Sequence, residues 1–463
     1  MAEAHEMDVA IVGGGPAGLN AALVLAGAGA SVSVIDEQAR PGGQILRQPP
    51  TGFAVTDWLT GRPYTGLKRD LAAFEDSGAT WRGGRSVLSI QRAPEGARRE
   101  DSGGAGAFDL VTAGGEGAAT YRARHVLVAG GCQDLAVPFP GWTLPGAMTV
   151  GGLQAFVKSQ RIVPGGPVLL AGTHPLMLVL AEQLLEAGAR IAGVVFAQGR
   201  ARFAGRLGRG LLGAASGAGN LLAGAEAMAR LVRSGVDVRF GDPLTGLLGR
   251  DRVEAARFAS GEVVPCGLVG TGYGFVPQAE LVRQAGANVR PAGRAGGWAA
   301  AVDSGFRTSV PGLYAAGETV GVAGAEAARL RGRIAGGVIA DALGRRPVGD
   351  MAKARSDLAK VERFADLLDR IADPRPYFPA LPAETFACRC EDVSAGEIEN
   401  AIAAGAGTAD AVKLRTRCGM GVCQGRNCEP TLLRLLAAEG CKDDPGFGAR
   451  FPARPVRIGD LID

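Results

Sequence analysis

The sequence predicts an α/β chain with two Rossmann-like dinucleotide-binding units followed by a small, mostly helical domain. Three observations predict it. Residues 8–36 run strand, glycine turn, helix, strand, as MDVAIVG, GGGPAG, the apolar-periodic NAALVLAGAGA and SVSVIDE. Residues 167–197 repeat that order with GPVLLAG, a turn, LMLVLAEQLLEAGA and IAGVVFAQ. Five of the eight cysteines then fall between Cys388 and Cys428. The repeat is that of a βαβ unit rather than of a short-period solenoid.

The remaining elements follow in order. Residues 80–130 read as β-rich, broken by the Gly-rich loop GGAGAFDLVTAGGEGAAT and ending in a buried-type strand, ARHVLVAGG. Residues 201–234 read as helical, and 253–277 return to strands. TSVPGLYAAGE precedes a helix, AEAARLRGRIAGGVIADALG. An amphipathic helix over about 350–372 repeats Leu358, Val361, Phe364, Leu368 and Ile371 at helical spacing. PRPYFPALP (374–382), with four prolines, reads as a stiff linker. The expected domains are 1–155 with 270–345, then 156–269, a helix and linker over 346–382, and a cysteine-bearing domain over 383–463.

With 463 residues, 47% of them hydrophobic and 21% charged, the chain has material for several cores. A net charge of +4 leaves no nucleic-acid footprint. The arginines of RARFAGRLGRG (200–210) read as a solvated basic face. The N-terminus enters a strand at once, without the pattern of a signal peptide. No segment has 18 uninterrupted apolar residues, so no transmembrane segment is expected. A cytoplasmic protein, at most peripheral at the inner membrane face, is the expectation. In that setting clustered cysteines point to metal before disulfides.

Gly13-Gly14-Gly15-Pro16-Ala17-Gly18 fits GxGxxG after a strand and at the start of a helix. Gly13 permits the tight turn, Gly15 lets backbone approach a pyrophosphate, and Gly18 allows close helix–strand packing. Pro16 and Ala17 open the helix, whose N-terminus favours phosphate. Asp36 stands 18 residues after Gly18, where a ribose-binding acid belongs, and Glu37 follows it. Two acids there would repel a 2′-phosphate.

GGGPAG, DEQARPGGQILRQ (36–48, with Gly43 and Gln44), ARHVLVAGG (with Gly130) and TSVPGLYAAGE recur in this order in two-dinucleotide-domain flavoproteins. Residues 8–345 resemble that family, which includes glutathione reductase, thioredoxin reductase and the nitrite reductase flavoproteins. The resemblance implies a glutathione-reductase-like fold and FAD in the first unit. It also implies that the motif opened by Thr308 brings Gly317 and Glu318 to the pyrophosphate and ribityl chain. The family usually has Asp where this chain has Glu318.

The second unit is degenerate. Its turn reads Gly172-Thr173-His174-Pro175-Leu176-Met177, with His174 at the second glycine position and Met177 at the third. A side chain there obstructs backbone approach, which argues against NAD(P). His174 reads as a structural hydrogen bonder before a catalytic group. The GGQILRQPP segment has no redox cysteine, and Cys132 and Cys266 read as isolated, buried and inert.

Near the C-terminus, Cys388-Arg-Cys390 and Cys423-Gln-Gly-Arg-Asn-Cys428 lie 32 residues apart, with Cys418 just upstream of the second pair. Such pairs suit zinc or a [2Fe–2S] cluster, and C-x-C is short for a zinc knuckle. Ser394 and Glu397 form an expected capping box. Thr408 or Asp410 is expected to cap the helix of AVKLRT. CRCEDVSAGEIENAI with VKLRTRCGMGVCQGRNC resembles the bacterioferritin-associated-ferredoxin-like [2Fe–2S] domain over about 385–440. It is the version that closes the α subunits of multi-subunit amine dehydrogenases: opine oxidases, cyanide-forming glycine dehydrogenase and hydroxyproline dehydrogenase. DEQARPGGQI, FPGWTLPGAMTVGG and GYGFVPQAEL fit the same subunits.

That resemblance implies Cys388, Cys390, Cys423 and Cys428 as ligands. Related domains carry C-x-x-C where this chain has C-x4-C, so Cys418 is the reserve and Cys441 a bystander. It further implies a β subunit with its own FAD that oxidises a C–N bond (CH–NH or CH–NH2 donors), a quinone-like acceptor and a small γ subunit. The alternatives are a self-sufficient NAD(P)H-dependent FAD/[2Fe–2S] reductase and a scaffold holding zinc.

Overall fold

The computed structural model describes residues 5–50, 52–53, 55, 59, 62–94, 106–209 and 211–461. The chain folds around a mixed sheet, a second, parallel sheet and a helical C-terminal domain. In the first sheet β1 (His5–Val12) pairs in parallel with β2 (Val32–Asp36) on one side. β2 then pairs with β3 (Thr80–Gly83). On the other side of β1 run the antiparallel strands β4 (Arg85–Arg92), β5 (Phe108–Gly114) and β6 (Gly117–Val128), with β6 parallel to β1. The end of β6 takes one more parallel strand, Leu313–Ala315.

β5 lies inside the segment expected to be a Gly-rich loop. Its burial alternates along FDLVTAG, with Phe108, Leu110 and Thr112 inside. The period of two marks a strand, and the surrounding glycines masked it. Residues 103–105 of that segment lie outside the described residues.

The second sheet is wholly parallel, in the order Val238–Phe240, Ile191–Phe196, Val168–Gly172, Leu268–Gly272 and Ala147–Thr149. Its strand Ala147–Thr149 precedes the segment expected at 156–269, and Leu268–Gly272 runs across the end of it. A ribbon of Cys132–Asp134 with Phe275–Pro277 joins the two halves.

Helix α1 (Pro16–Gly27) packs backbone to backbone against the helix Ala325–Ala342. A Cβ on Gly332 would lie 2.1 Å from the Ala17 carbonyl oxygen, so only glycine fits. The amphipathic helix spans Met351–Ile371 and buries Leu358, Phe364 and Ile371, as its pattern predicts. Of the arginines expected on a solvated face, Arg206 donates to the Arg370 and Ile371 carbonyls at the end of this helix. Arg202 lies over the Tyr377 ring at 5.3 Å. Cations belong at a helix C-terminus.

The linker is pinned. Phe378 meets Tyr273 at 6.4 Å, and the Arg434 guanidinium lies 3.7 Å from its ring centre. Beyond it, helices Ala395–Ala403, Ala409–Thr416 and Glu429–Ala438 enclose a core that includes Cys388, Cys418 and Cys428. The Ser394–Glu397 capping box is present, and Thr408 caps the next helix by accepting from Ala411 N–H at 3.2 Å.

This domain is tied to the first half of the chain. The buried Trp142 indole N–H donates to the Phe386 carbonyl at 2.7 Å, and Arg389 lies over the same ring at 5.3 Å. Trp142→Phe is expected to lower stability by about 1 kcal/mol. Chemical denaturation checks it, and an unchanged midpoint would mean that this bond contributes nothing. Among the described residues no helix is long and apolar enough to cross a membrane.

Candidate functional site

The first βαβ turn brings its expected residues together. Gly13 has φ 104°, and a Cβ there would meet the Ala129 carbonyl oxygen at 2.3 Å. A Cβ on Gly18 would lie 1.9 Å from Gly13 O, so the helix rests directly on the turn. Gly15 faces Gly43 backbone to backbone, and a Cβ on Gly43 would lie 2.6 Å from Gly15 Cα. Pro16 starts the helix and no side chain caps it, which leaves the first-turn N–H groups as donors for an anion.

Asp36 accepts from Gly14 N–H at 2.5 Å and from Gln38 N–H at 2.7 Å. Burial pushes its carboxyl up, against those two bonds. Each oxygen keeps a lone pair for a hydroxyl. Glu37 is exposed beside it.

Gly317 (φ 71°) closes on Ala17, and Arg331 donates to its carbonyl at 2.9 Å while holding Glu362 at 2.8 Å. Glu318 accepts from Gly324 N–H at 3.1 Å and from the Cys132 thiol at 2.8 Å. Gly130 lies beside Thr319, whose hydroxyl accepts from Gly131 N–H at 3.2 Å. Gln44 accepts from Arg47, and its carbonyl accepts from Lys158 Nζ at 3.1 Å.

Lys158 is buried in a π-turn over Phe156–Gln160, and burial pulls its ammonium down to about 8. Nothing in the sequence marks it. Cys132 departs from its expected isolation. It sits beside Glu318, and burial together with that carboxylate keeps it a thiol. Cys266 does lie buried, pushed up to about 11 by burial.

The second turn is closed by its own chain. Thr173 and His174 N–H both donate to the Gly272 carbonyl, at 2.8 and 2.9 Å. Leu176 N–H donates to His174 Nδ1 at 3.2 Å, Met177 N–H to His174 O and Leu178 N–H to Pro175 O. The donors a pyrophosphate would take are thus spoken for. Gln198, at the end of the adjacent strand, donates to Thr173 O at 2.7 Å.

Burial pulls the His174 imidazole down to about 4, so it is the neutral acceptor this bond needs. A depressed folded value means stability that is present above about 6.5 and lost as pH falls toward 4. His174→Gln keeps an acceptor and removes the titration. The wild type is expected to lose about 2–3 kcal/mol more than this variant between pH 7 and 4. Denaturation midpoints at both pH values check it, and parallel losses would count against the assignment.

In the C-terminal domain the Sγ atoms of Cys388, Cys418 and Cys428 all lie within 4.8 Å of one another. Cys390 and Cys423 form a second contact, with the Cys423 N–H directed at the Cys390 sulfur. The four expected ligands are thus divided between that trio, which Cys418 joins, and this pair. Cys441 stands apart beside Gly407. Donated bonds from the Cys418 and Cys428 thiols pull Cys388 down to about 2, and the N–H groups of Gly419 and Cys390 add to this.

Backbone closes tightly round the group. A Cβ on Gly421 would lie 2.3 Å from Cys390 Cβ, and one on Gly425 would lie 2.4 Å from the Phe447 ring. Buried sulfurs with N–H donors aimed at them fit a thiolate-bound cluster.

Arg426, between Cys423 and Cys428, joins the two sites. Its side chain is 6% exposed and meets Glu280 at 3.2 Å. It donates to Cys423 O at 3.0 Å, and its own carbonyl accepts from Gln133 at 2.8 Å. Gln133 follows Cys132, which touches Glu318. The only sequence signal for Arg426 is its place between two cysteines.

The pyridine nucleotide-disulphide oxidoreductase family model matches residues 7–334. The chain belongs to that family. A BFD-like [2Fe–2S] binding domain model matches residues 387–438. The protein is thus an FAD-dependent oxidoreductase with a [2Fe–2S]-binding domain. It is 34% identical to a subunit of the opine oxidase of Rhizobium meliloti, over 98% of each chain. It is 32% identical to the HcnB subunit of the hydrogen cyanide synthase of Pseudomonas protegens, over 96% of this chain and 95% of that one. Among solved structures, L-proline dehydrogenase from P. horikoshii shares the fold, with a TM-score of 0.70, 19% identity and coverage of 100% of this chain and 81% of that one.

Proposed function

We propose that the protein is the electron-transfer flavoprotein/iron–sulfur subunit of a heteromeric amine dehydrogenase acting on an amino acid or opine. A partner β subunit with its own FAD oxidises the C–N bond, a small γ subunit completes the assembly, and a quinone-like acceptor receives the electrons. The protein works in the cytoplasm or peripherally at the inner membrane face.

Full-length similarity to subunits of opine oxidase and hydrogen cyanide synthase supports this reading. The observation that carries it is the continuity from the cysteine loop through Arg426 and Gln133 to Cys132 and Glu318. FAD supplies two-electron storage, and a [2Fe–2S] cluster supplies single-electron transfer.

The chain's own residues bind, orient and exclude water. Gly13, Gly15, Pro16, Ala17 and Gly18 present backbone to a pyrophosphate, and Asp36 offers its carboxylate to a ribose. Gly43, Gln44, Gly130, Gly317 and Glu318 form the facing wall. Cys388, Cys390, Cys423 and Cys428 hold the cluster, and the Gly419 and Cys390 N–H groups keep charge on Cys388. Arg426 keeps this loop against the flavin half. His174 and Gly272 deny a second dinucleotide its anchor.

An anaerobic visible spectrum with iron and acid-labile sulfide analysis tests the reading, on the chain alone and co-purified with its neighbours. Flavin bands with about two irons per chain are expected. Neither an amine nor NADH is expected to bleach the isolated chain. Amine oxidation by the chain alone at a rate comparable to the complex would overturn the division of labour.

A further inference from the structure

The cysteine site holds one sulfur more than its four assigned ligands, and the five sulfurs divide unevenly. Cys388, Cys418 and Cys428 form a buried trio whose Sγ atoms lie within 4.8 Å of one another. Cys390 and Cys423 form a pair outside that trio, with Cys388 the further thiol whose charge reaches Cys390. A buried cysteine that serves only as a small apolar residue packs against carbon. Cys418 packs against two sulfurs of the site.

Local backbone delivers it there. The helix Ala409–Thr416 ends at Arg417 in the left-handed region, φ 68°. The Cys418 N–H then donates to Thr416 Oγ1 at 3.1 Å. Gly419 follows at φ 86°, where a Cβ would lie 2.5 Å from the Phe447 ring. Two left-handed residues, one on each side, turn the chain so that Cys418 points inward, fully buried. A left-handed arginine is uncommon, and here it serves to aim the next side chain.

We propose that Cys418 is a spare ligand of the cluster site. Either Cys418 or Cys428 completes the set with Cys388, Cys390 and Cys423. The inference rests on the iron–sulfur reading of the site given above. It follows from reach: a soft thiophilic metal bound at Cys388 finds two further buried sulfurs at comparable range on the trio side. On the pair side, loss of Cys390 leaves no such replacement. The two ligand sets differ in the backbone beside the exchanged sulfur, Cys428 Sγ lying 3.7 Å from the Gly425 carbonyl oxygen, and cluster spectra respond to such surroundings.

The test uses the full chain, purified anaerobically as wild type, C418A, C428A, C390A and C418A/C428A. Iron, acid-labile sulfide and flavin per chain are measured, with the electron paramagnetic resonance spectrum after dithionite reduction. Wild type and C418A are expected to hold about two irons. C428A is expected to retain at least half of that iron with altered g-values. C390A and the double variant are expected to fall at least ten-fold, with flavin unchanged throughout. Cys428→Val keeps the buried volume and decides the matter if C428A does not fold.

Iron in the wild type with C428A as empty as the double variant would overturn the spare-ligand inference and leave the cluster reading intact. Loss of iron from C418A would likewise overturn it, by making Cys418 indispensable. Zinc without iron in the wild type would overturn the cluster reading and this inference with it.

Discussion

Gly18→Ala is expected to give a chain that purifies without flavin while keeping its iron. The added Cβ would stand 1.9 Å from the Gly13 carbonyl oxygen and 3.2 Å from an Ile11 methyl. The oxygen belongs to the turn and cannot rotate aside, so helix α1 must lift. Its first-turn N–H groups then leave the turn they share with Gly13 and Gly15. On the far side the helix already touches Gly332 with no room to spare. Overpacking of this kind costs about 3 kcal/mol.

Flavin absorbance per chain measures the effect, and at least a ten-fold loss is expected. Gly165→Ala is the control, because a Cβ there meets nothing within 4 Å. Wild-type flavin in Gly18→Ala would show that the nucleotide does not sit at this turn.

Arg426→Ala is expected to loosen the C-terminal domain from the rest. The guanidinium is buried, pairs with Glu280 and holds Cys423 O. Removing one partner of a buried, hydrogen-bonded ion pair costs about 2–4 kcal/mol, with the lower end apt here because Glu280 keeps some water. Thermal unfolding is expected to gain a separate, lower-temperature transition, and protease is expected to cut first near the linker. A single transition at the wild-type temperature would mean that Trp142, Phe378 and Arg283, which donates to the Pro445 and Phe447 carbonyls at 2.9 and 2.8 Å, suffice to hold the domain.

The first nucleotide site was legible because a phosphate-binding turn writes its demands locally. Gly13, Gly15 and Gly18 are forced by contacts within a short stretch of chain, and Asp36 follows at a fixed distance. The cysteine cluster was legible for the same reason, as short-range pairs. What the chain does across long separations was not. Arg426 looks like any loop arginine until its carbonyl meets Gln133, 293 residues away in sequence. The grouping of Cys418 with Cys388 and Cys428 depends on the left-handed turn at Arg417, which no residue type announces. β5 was hidden by composition, since its alternation runs through a stretch whose glycines suggest a loop.

The closed second turn sets a steep barrier for anyone wishing to rewire this protein to draw reducing power from NADH. Restoring glycine at His174 and Met177 would remove two side chains. It would leave the Thr173 N–H and its neighbour directed at the Gly272 carbonyl. Gly272 in turn is packed so that a Cβ would meet Met177 at 2.9 Å. Each of these changes alone removes a bond without creating a site, so no single step along that route improves binding. A chain locked in this way stays committed to the electron donor it already has.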